Sequence, residues 1–192
     1  MDQANTFGHL MLDIETLGVS PGCVVLHISA VEFNIDTGKT GKEFDHGISV
    51  EDSVKNGLVI EASTMKWWMT QNEAAKKAAF ESSNSLRFVL TEFNDFLLQL
   101  GPVSVWGNGV RFDVGILEGL YKAVGMKMPI TGRQERDVRT LVSFRPHIKQ
   151  NMPFVGEQHV AIDDCKHQIK YCSAIWNNIN AVNVVDDRFL TK

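Results

Sequence analysis

The stretch His9-Leu-Met-Leu-Asp-Ile-Glu-Thr16 decides the fold of this chain. It begins with apolar residues that predict a buried strand and ends with two carboxylates, Asp13 and Glu15. Successive side chains of a strand alternate between its faces, so these two carboxylates project to the same side. They repel each other unless a cation lies between them, and oxygen-rich sites favour Mg²⁺ or Mn²⁺. The stretch predicts a strand that delivers a metal-binding pair to a sheet edge. Chance surface acids are the alternative, because Asp-x-Glu alone is common.

The composition indicates one globular domain over residues 1–192. The chain is 44% hydrophobic and 22% charged, which is ordinary for a soluble protein. It contains no apolar run of the roughly 20 residues that a membrane span needs, and its start lacks the pattern of a secretory signal. The three cysteines have no metal-binding spacing and are expected to be reduced and to pack in the core. We therefore expect a cytoplasmic protein with a frayed tail over about 181–192; a homodimer is possible.

The order of predicted elements indicates an α/β fold. Strands are expected over 9–15, 23–33 and 43–50 as an antiparallel meander, and over 103–106 further along. Helices are expected from Ser63, from a cap at Ser85, and over 112–124, 137–144 and 161–180. One further strand is possible before the last helix. This order fits a mixed sheet with helices on both faces.

Two later segments carry further candidate ligands. Asp113 begins a predicted helix after the turn Gly107-Asn-Gly109, and either stabilises that helix or reaches the sheet edge as a ligand. In His159-Val-Ala-Ile-Asp-Asp164, the histidine lies just before or at the start of the last helix and Asp164 lies one turn inside it. Imidazole is the side chain that most often acts as a general base. The alternative is a capping histidine followed by two first-turn acids.

The middle of the chain is basic, although the net charge is −4. Residues 111–149 carry 8 Lys or Arg against 4 Asp or Glu. A basic face beside an acidic metal site would suit a polyanionic substrate. An ordinary solvated surface explains any single one of these residues equally well.

Together these motifs resemble the DEDDh exonucleases, the 3′–5′ exonuclease branch of the ribonuclease H-like (DnaQ-type) fold, whose mixed sheet has five strands. The first motif matches as Asp13, Glu15 and Thr16, the second as Asp113, and the third as His159 and Asp164, which leaves Asp163 outside the set. The segment Ser63-Thr-Met-Lys-Trp-Trp-Met-Thr-Gln71 further resembles small phage exonucleases of the exonuclease A type and mycobacterial exoribonucleases, as does Arg136-Asp-Val-Arg-Thr140.

The resemblance implies a two-metal phosphodiesterase that releases nucleoside 5′-monophosphates from 3′ ends. Asp13, Glu15, Asp113 and Asp164 would bind two Mg²⁺ or Mn²⁺ ions, and His159 would deprotonate the attacking water. The backbone of Thr16 would contact the 3′-hydroxyl, and Leu17 would wedge against a base. The expected partner is single-stranded or 3′-overhang nucleic acid, with DNA favoured by the likeness to phage enzymes.

Three further residues are candidate substrate contacts. Trp67 and Trp68 are about 100° apart on a helix, so one is expected in the core while the other, taken here as Trp67, offers a surface for base stacking. Asn108 either donates to a phosphate or shapes its turn, which Gly-Asn-Gly favours. Arg139 either faces a phosphate or forms an internal ion pair.

Other functions fit the same residues less well. An exoribonuclease or a scavenger of very short oligonucleotides would use the same chemistry, and a series of substrate lengths would separate the scavenger. A non-catalytic nucleic-acid-binding module is disfavoured because all five catalytic positions carry suitable side chains. A polymerase proofreading subunit ranks low because no docking tail is visible.

Overall fold

A computed structural model of the protein describes residues 7–183. Within this range the chain forms five strands and eight helices. The strands are β1 (Gly8–Thr16), β2 (Val25–Asn34), β3 (Thr40–Gly47), β4 (Ser104–Gly107) and β5 (Glu135–Asp137). The helices are α1 (Val50–Lys55), α2 (Ala62–Met69), α3 (Glu73–Phe80), α4 (Leu86–Leu100), α5 (Val110–Ala123), α6 (Val138–Ser143), α7 (Pro146–Gln150) and α8 (Ala161–Asn183).

The strands form one mixed sheet in the order β3-β2-β1-β4-β5. β1, β2 and β3 pair antiparallel, which confirms the predicted meander. β4 lies parallel to β1, and β5 lies parallel to β4. Because β1 and β4 are parallel neighbours, their carboxyl ends meet at the same edge of the sheet, where the first two acidic motifs follow.

Alternate residues of β1 enter two separate cores. Leu10, Leu12 and Ile14 pack with helices α2 to α5 on one face. Met11 packs with α6 and α8 on the other face. Helices therefore cover both faces, as predicted, and the five-stranded mixed sheet is confirmed. Asp13 and Glu15 continue the row that Met11 begins, so they lie on the face that α8 covers.

Four predicted features differ from the structure. The third strand ends at Gly47, because Ser49 caps α1 by accepting a hydrogen bond from the Asp52 amide (3.2 Å). Ser63 is not the cap of α2: Glu61 occupies that position and its side chain accepts from the Val19 amide instead (3.0 Å). The short helices α1, α3 and α7 were not predicted. α8 continues to Asn183, so residues 181–183 of the expected frayed tail are helical, and the rest of it, 184–192, lies outside the described residues.

Several other expectations are met. The Ser85 side chain accepts from the Phe88 amide and caps α4. All three cysteines are free and buried, as predicted. Between residues 7 and 183, none of the helices combines the length and the apolar character needed to cross a bilayer.

Candidate active site

The end of β1 supplies the first two carboxylates of the site. Glu15 is buried and Asp13 half-buried beneath α8. Asp13 pairs in register with Ser29 of β2, and Glu15 pairs with His27. The register shifts immediately after Glu15, where the strand leaves the ladder. The two acids therefore lie at the last regular positions of the central strand.

Asp113 lies in the first turn of α5, directly beside the end of β4. Gly109 adopts a left-handed conformation (φ 97°) that reverses the chain between β4 and α5, and its amide donates to the Gly107 carbonyl (2.9 Å), as the predicted turn requires. A Cβ on Gly107 would lie 2.8 Å from Asp113 Oδ2, so the carboxylate needs glycine there. Asp113 is only 3% exposed.

The start of α8 brings His159 and Asp164 to the same edge. The His159 backbone is left-handed (φ 64°), which no other non-glycine residue shows in the described part of the chain. Its amide donates to Asp164 Oδ2 (2.9 Å), which fixes the loop against the helix. One potential ligand atom each from Glu15, His159 and Asp164 lies within 4.8 Å of the others.

Burial and mutual repulsion raise the pKa values of these acids. Burial raises the pKa of Asp13 well above its usual range, and the negative charges of Asp113 and Asp164 raise it further. Burial, followed by the charges of Asp13, Asp164 and Asp113, does the same for Glu15. Burial also raises the pKa of Asp113 to about 7 and lifts that of Asp164. The four acids thus lie in one cluster whose charges act on Asp13 and Glu15, and His159 lies beside Glu15 and Asp164.

A divalent cation fits this cluster. Asp113 Oδ2 is buried and lacks a hydrogen-bond partner among residues 7–183. Four carboxylates supply the oxygen donors that Mg²⁺ and Mn²⁺ prefer. A bound cation would satisfy the buried oxygen and offset the repulsion that raises the pKa values.

The metal-free protein is expected to lose stability as the pH rises from about 4 to 7. In this window folded Asp113 keeps a proton that the unfolded chain releases above its ordinary pKa of 3.8. The folded state then binds more protons, so the free energy of unfolding falls with rising pH. A shift of this size corresponds to roughly 4 kcal/mol for this one group. Thermal melts in EDTA check the trend, and Mn²⁺ or Mg²⁺ should raise the melting temperature most near pH 7. A flat profile would contradict it.

Gln168 is a contact of the site that the sequence did not predict. It lies one helical turn after Asp164 on α8, is 4% exposed, and its Nε2 donates to Asp13 Oδ1 (2.7 Å). Its own Oε1 is buried without a partner in the described chain. The spacing of four residues from Asp164 is the sequence signal that would have indicated it, because residues four apart share a helix face.

Replacing Gln168 with alanine is expected to raise the metal concentration for half-maximal activity by about 10- to 100-fold, the usual effect of losing a residue that orients a ligand. Activity measured across a Mg²⁺ and a Mn²⁺ titration checks this. A rate that falls equally at every metal concentration, with a lower melting temperature, would instead indicate a purely structural role.

The two tryptophans of α2 have different positions. Trp68 is buried and its Nε1 donates to the Thr16 carbonyl (2.8 Å), whereas Trp67 is 41% exposed. This confirms that one of the pair belongs to the core. The ring of Trp67 lies edge-on to the His159 ring, with centroids 4.9 Å apart. Leu17 is completely buried in the core, so its side chain offers no exposed surface for the predicted wedge against a base.

Trp67 and Thr16 lie in an open cleft of about 400 Å³ next to the acids, which we call the terminal cleft. Its walls are Ile14, Glu15, Thr16, Gly18, Val19, Ser63, Thr64, Trp67 and Phe112. The cleft joins a metal-binding acid to an exposed aromatic ring.

Asn108 and Arg139 both lie near Asp113. Asn108 occupies the turn as predicted, and its backbone hydrogen bond to the Asp113 carboxylate opposes the pKa rise that burial causes. The Arg139 guanidinium packs over Gly109, and its charge also lowers the Asp113 pKa. Arg139 forms no ion pair within residues 7–183, so the internal ion pair considered from the sequence is absent there.

A second polar group borders the site and was also missed. His27 Nε2 lies 2.8 Å from Asp45 Oδ1, which also accepts from the Ser29 hydroxyl (2.5 Å). Burial alone would raise the Asp45 pKa, but these hydrogen bonds hold it below its ordinary value. A small cavity of about 240 Å³ separates this pair from Glu15 and His159. The sequence motifs do not indicate that His27 lies near the site. Its position follows from the strand register, which pairs His27 with Glu15.

Residues 8–176 match the family model of the 3′-5′ exoribonuclease Rv2179c-like domain. This chain belongs to that family. The match spans all the motifs that converge in the site, and the family is one of exonucleases. No curated protein sequence matches this Rv2179c-like domain at a significant level.

Solved structures similar to this Rv2179c-like domain share its fold at low identity. Cell-death related nuclease 4 has a TM-score of 0.67 at 15% identity over 90% of this chain; the match spans only 65% of that chain. The nuclease domain of 3′hExo, a DEDDh family member bound to rAMP, has a TM-score of 0.61 at 12% identity, covering 91% and 95%. S. pombe Pop2p in its Mg²⁺- and Mn²⁺-bound form has a TM-score of 0.60 at 12% identity, covering 88% and 82%. The predicted ribonuclease H-like fold is confirmed.

Proposed function

We propose that this protein is a metal-dependent 3′–5′ exonuclease that releases nucleoside 5′-monophosphates. The observation that carries the proposal is the convergence of Glu15, His159 and Asp164 within 4.8 Å beside Asp13 and the unpartnered oxygen of Asp113. The four carboxylates would hold two Mg²⁺ or Mn²⁺ ions. When bound, such a pair lowers the pKa of water and stabilises the attacking and leaving oxygens of the displacement.

The protein's own residues would position the reactants and move the proton. His159 would accept the proton of the attacking water, with its backbone held by Asp164 and its ring edge-on to Trp67. Gln168 would orient Asp13 through its 2.7 Å hydrogen bond. A rigid arrangement of this kind contributes by fixing the reacting groups before the reaction begins.

The terminal cleft would hold the 3′-terminal nucleoside. It is lined by both Glu15 and Trp67, and the exposed ring of Trp67 would stack on any base. The Thr16 backbone reaches the same cleft and would approach the 3′-hydroxyl, although its carbonyl already accepts from Trp68. Arg139, beside Asp113, would contact a phosphate near the scissile bond, and Asn108 would support Asp113 through its backbone.

RNA and DNA are both candidate substrates. The family description names exoribonucleases, and this supports RNA as the first substrate to test. The DNA preference predicted from the likeness to phage exonucleases is the second candidate. Discrimination would require a contact to the 2′-hydroxyl.

A cleavage series tests the proposal. The substrates are 5′-labelled single-stranded RNA and DNA of equal sequence, each incubated with Mg²⁺, Mn²⁺ or EDTA. We expect a ladder that shortens from the 3′ end in the presence of metal and disappears in EDTA. The preferred sugar is read from the same gel. Cleavage that persists in EDTA, or internal cuts without a 3′ ladder, would overturn the proposal.

A further inference from the structure

A second groove continues from the terminal cleft along α5. It is open, has a volume of about 970 Å³, and lies between the loop 19–22 and the outer face of α5. Val19 and Phe112 line both the groove and the terminal cleft. The site therefore opens into a longer channel, which we call the α5 groove.

Glycines on α5 shape this groove. A Cβ on Gly119 would lie 2.8 Å from the Gly22 backbone nitrogen, so this glycine allows the loop to pack against the helix. Gly115, one turn earlier, has no atom within 4 Å of the position of a Cβ, so packing does not require it. Glycine inside a helix costs about 1 kcal/mol relative to alanine. The effect of Gly115 is to leave the groove floor open at the level of the helix backbone.

The charges of the groove favour an anion. Arg111, Lys122 and Arg139 line it together with Glu118 and Asp137. Glu118 pairs with Lys122 (2.8 Å). Asp137 accepts backbone hydrogen bonds from Val110 (2.8 Å) and Thr140 (2.7 Å), so both its oxygens are engaged.

Two arginines of the groove are not held in direct ion pairs within residues 7–183, although the charge of Arg139 acts on nearby Asp113 and Asp137. Neither Arg111 nor Arg139 forms an ion pair in the described range 7–183. Arginine is well suited to phosphate because its planar guanidinium donates in a fork. Arg139 lies at the end of the groove beside Asp113, whereas Arg111 lies in the first turn of α5.

We infer that the α5 groove binds the sugar–phosphate backbone of the nucleotides that precede the scissile bond, with Arg111 and Arg139 contacting their phosphates. The inference rests on the proposed exonuclease function and extends it. A strand whose end lies in the terminal cleft would continue past Phe112 into the groove. The open floor at Gly115 lets the backbone of the strand approach the helix. Substrates long enough to enter the groove are then preferred over dinucleotides, which distinguishes this enzyme from a scavenger of very short oligonucleotides.

The inference is tested with substitutions that either fill the α5 groove or remove a positive charge from it. Gly115→Leu places a side chain in the free space, Gly115→Ala adds only a methyl group, and Arg111→Gln removes one cation. Lys127→Gln removes an exposed cation that does not line the groove and is the matched control. For each variant, kcat/KM is measured for a long single strand and for a dinucleotide, and binding of the long strand is measured in EDTA across a salt series.

The measured quantity is the ratio of kcat/KM for the long strand to kcat/KM for the dinucleotide. Gly115→Leu is expected to lower this ratio by about tenfold or more, equivalent to about 1.4 kcal/mol. Gly115→Ala is expected to lower it less. Arg111→Gln should reduce the slope of log binding constant against log salt by about one unit, and Lys127→Gln should match the wild type in the ratio.

The outcomes separate the two proposals. If the wild type cleaves both substrates but none of the three groove variants changes the ratio or the salt slope, the groove assignment is overturned while the exonuclease stands. If the wild type binds strands through the groove but never cleaves, the exonuclease proposal fails. Absence of both binding and cleavage would overturn both proposals.

Discussion

Replacing Asp13 with asparagine is expected to reduce cleavage by about 10³-fold or more, because loss of a ligand carboxylate removes several kcal/mol of metal-assisted stabilisation. Asparagine keeps an oxygen that can accept from Gln168, so the geometry of the hydrogen bond seen at Asp13 is preserved. The same change removes one of the charges that, after burial, raise the pKa of Glu15. The metal-free variant should therefore melt at least about 2 °C above the metal-free wild type at neutral pH, the shift that 1 kcal/mol produces in a chain of this size.

Asp163→Asn provides the matched control for that variant. Asp163 is adjacent to Asp164 in sequence, but its Oδ2 accepts from the Glu157 amide (2.9 Å) and holds a loop. An asparagine oxygen can accept the same hydrogen bond, so cleavage should remain near that of the wild type. Rates and thermal melts in EDTA are the two measurements. Normal cleavage by Asp13→Asn would refute its role as a ligand, and a lower melting temperature would show that the buried charge of Asp13 does not destabilise the metal-free protein.

Replacing His159 with asparagine is expected to lower the rate at saturating metal by roughly 10² to 10⁴, the usual contribution of a general base. Asparagine is the suitable replacement because the residue has a φ of 64°, and asparagine tolerates the left-handed region better than most residues. The backbone hydrogen bond to Asp164 is then kept. Single-turnover rates with saturating Mg²⁺ and Mn²⁺ measure the effect.

The metal dependence decides between two roles for His159. Its nitrogen lies close enough to Glu15 and Asp164 to be a ligand as well as a base. If His159 is the general base, the His159→Asn variant stays slow at every metal concentration. If His159 is a metal ligand, the activity of the variant recovers as metal is added. Exposed His147 on α7, changed to asparagine, is the control and should keep the wild-type rate. Recovery of the His159 variant in excess metal would contradict the general-base assignment.

Much of the site could be predicted because its residues belong to short-range patterns. Alternation along a strand places Asp13 and Glu15 on one face before any tertiary contact is known. His159 and Asp164 were predicted as a pair from the motif around the start of α8, although His159 itself lies in the left-handed turn that precedes the helix. The contacts of Gln168 and His27 could not be predicted in this way, because each depends on which element packs against which: α8 over β1, and β2 beside β1.

Leu17 and Trp67 show that the sequence alone did not decide which side chains are exposed. Their sequence positions beside motifs suggested contact with a base for both, but only the packing of the loop after β1 decides exposure, and it buries Leu17 completely while leaving Trp67 at 41%. The α5 groove likewise arises from the packing of the loop 19–22 against Gly119, residues almost a hundred positions apart in the chain.

The sequence by itself determined the type of sheet, the faces of its strands and the identity of the acids, because local periodicity and residue chemistry act over a few positions. The tertiary structure decided which carboxylates repel each other, which oxygen is left unpartnered and where a strand of substrate would run. Those properties follow from desolvation and from distances between elements remote in sequence, and they exist only once the chain has folded.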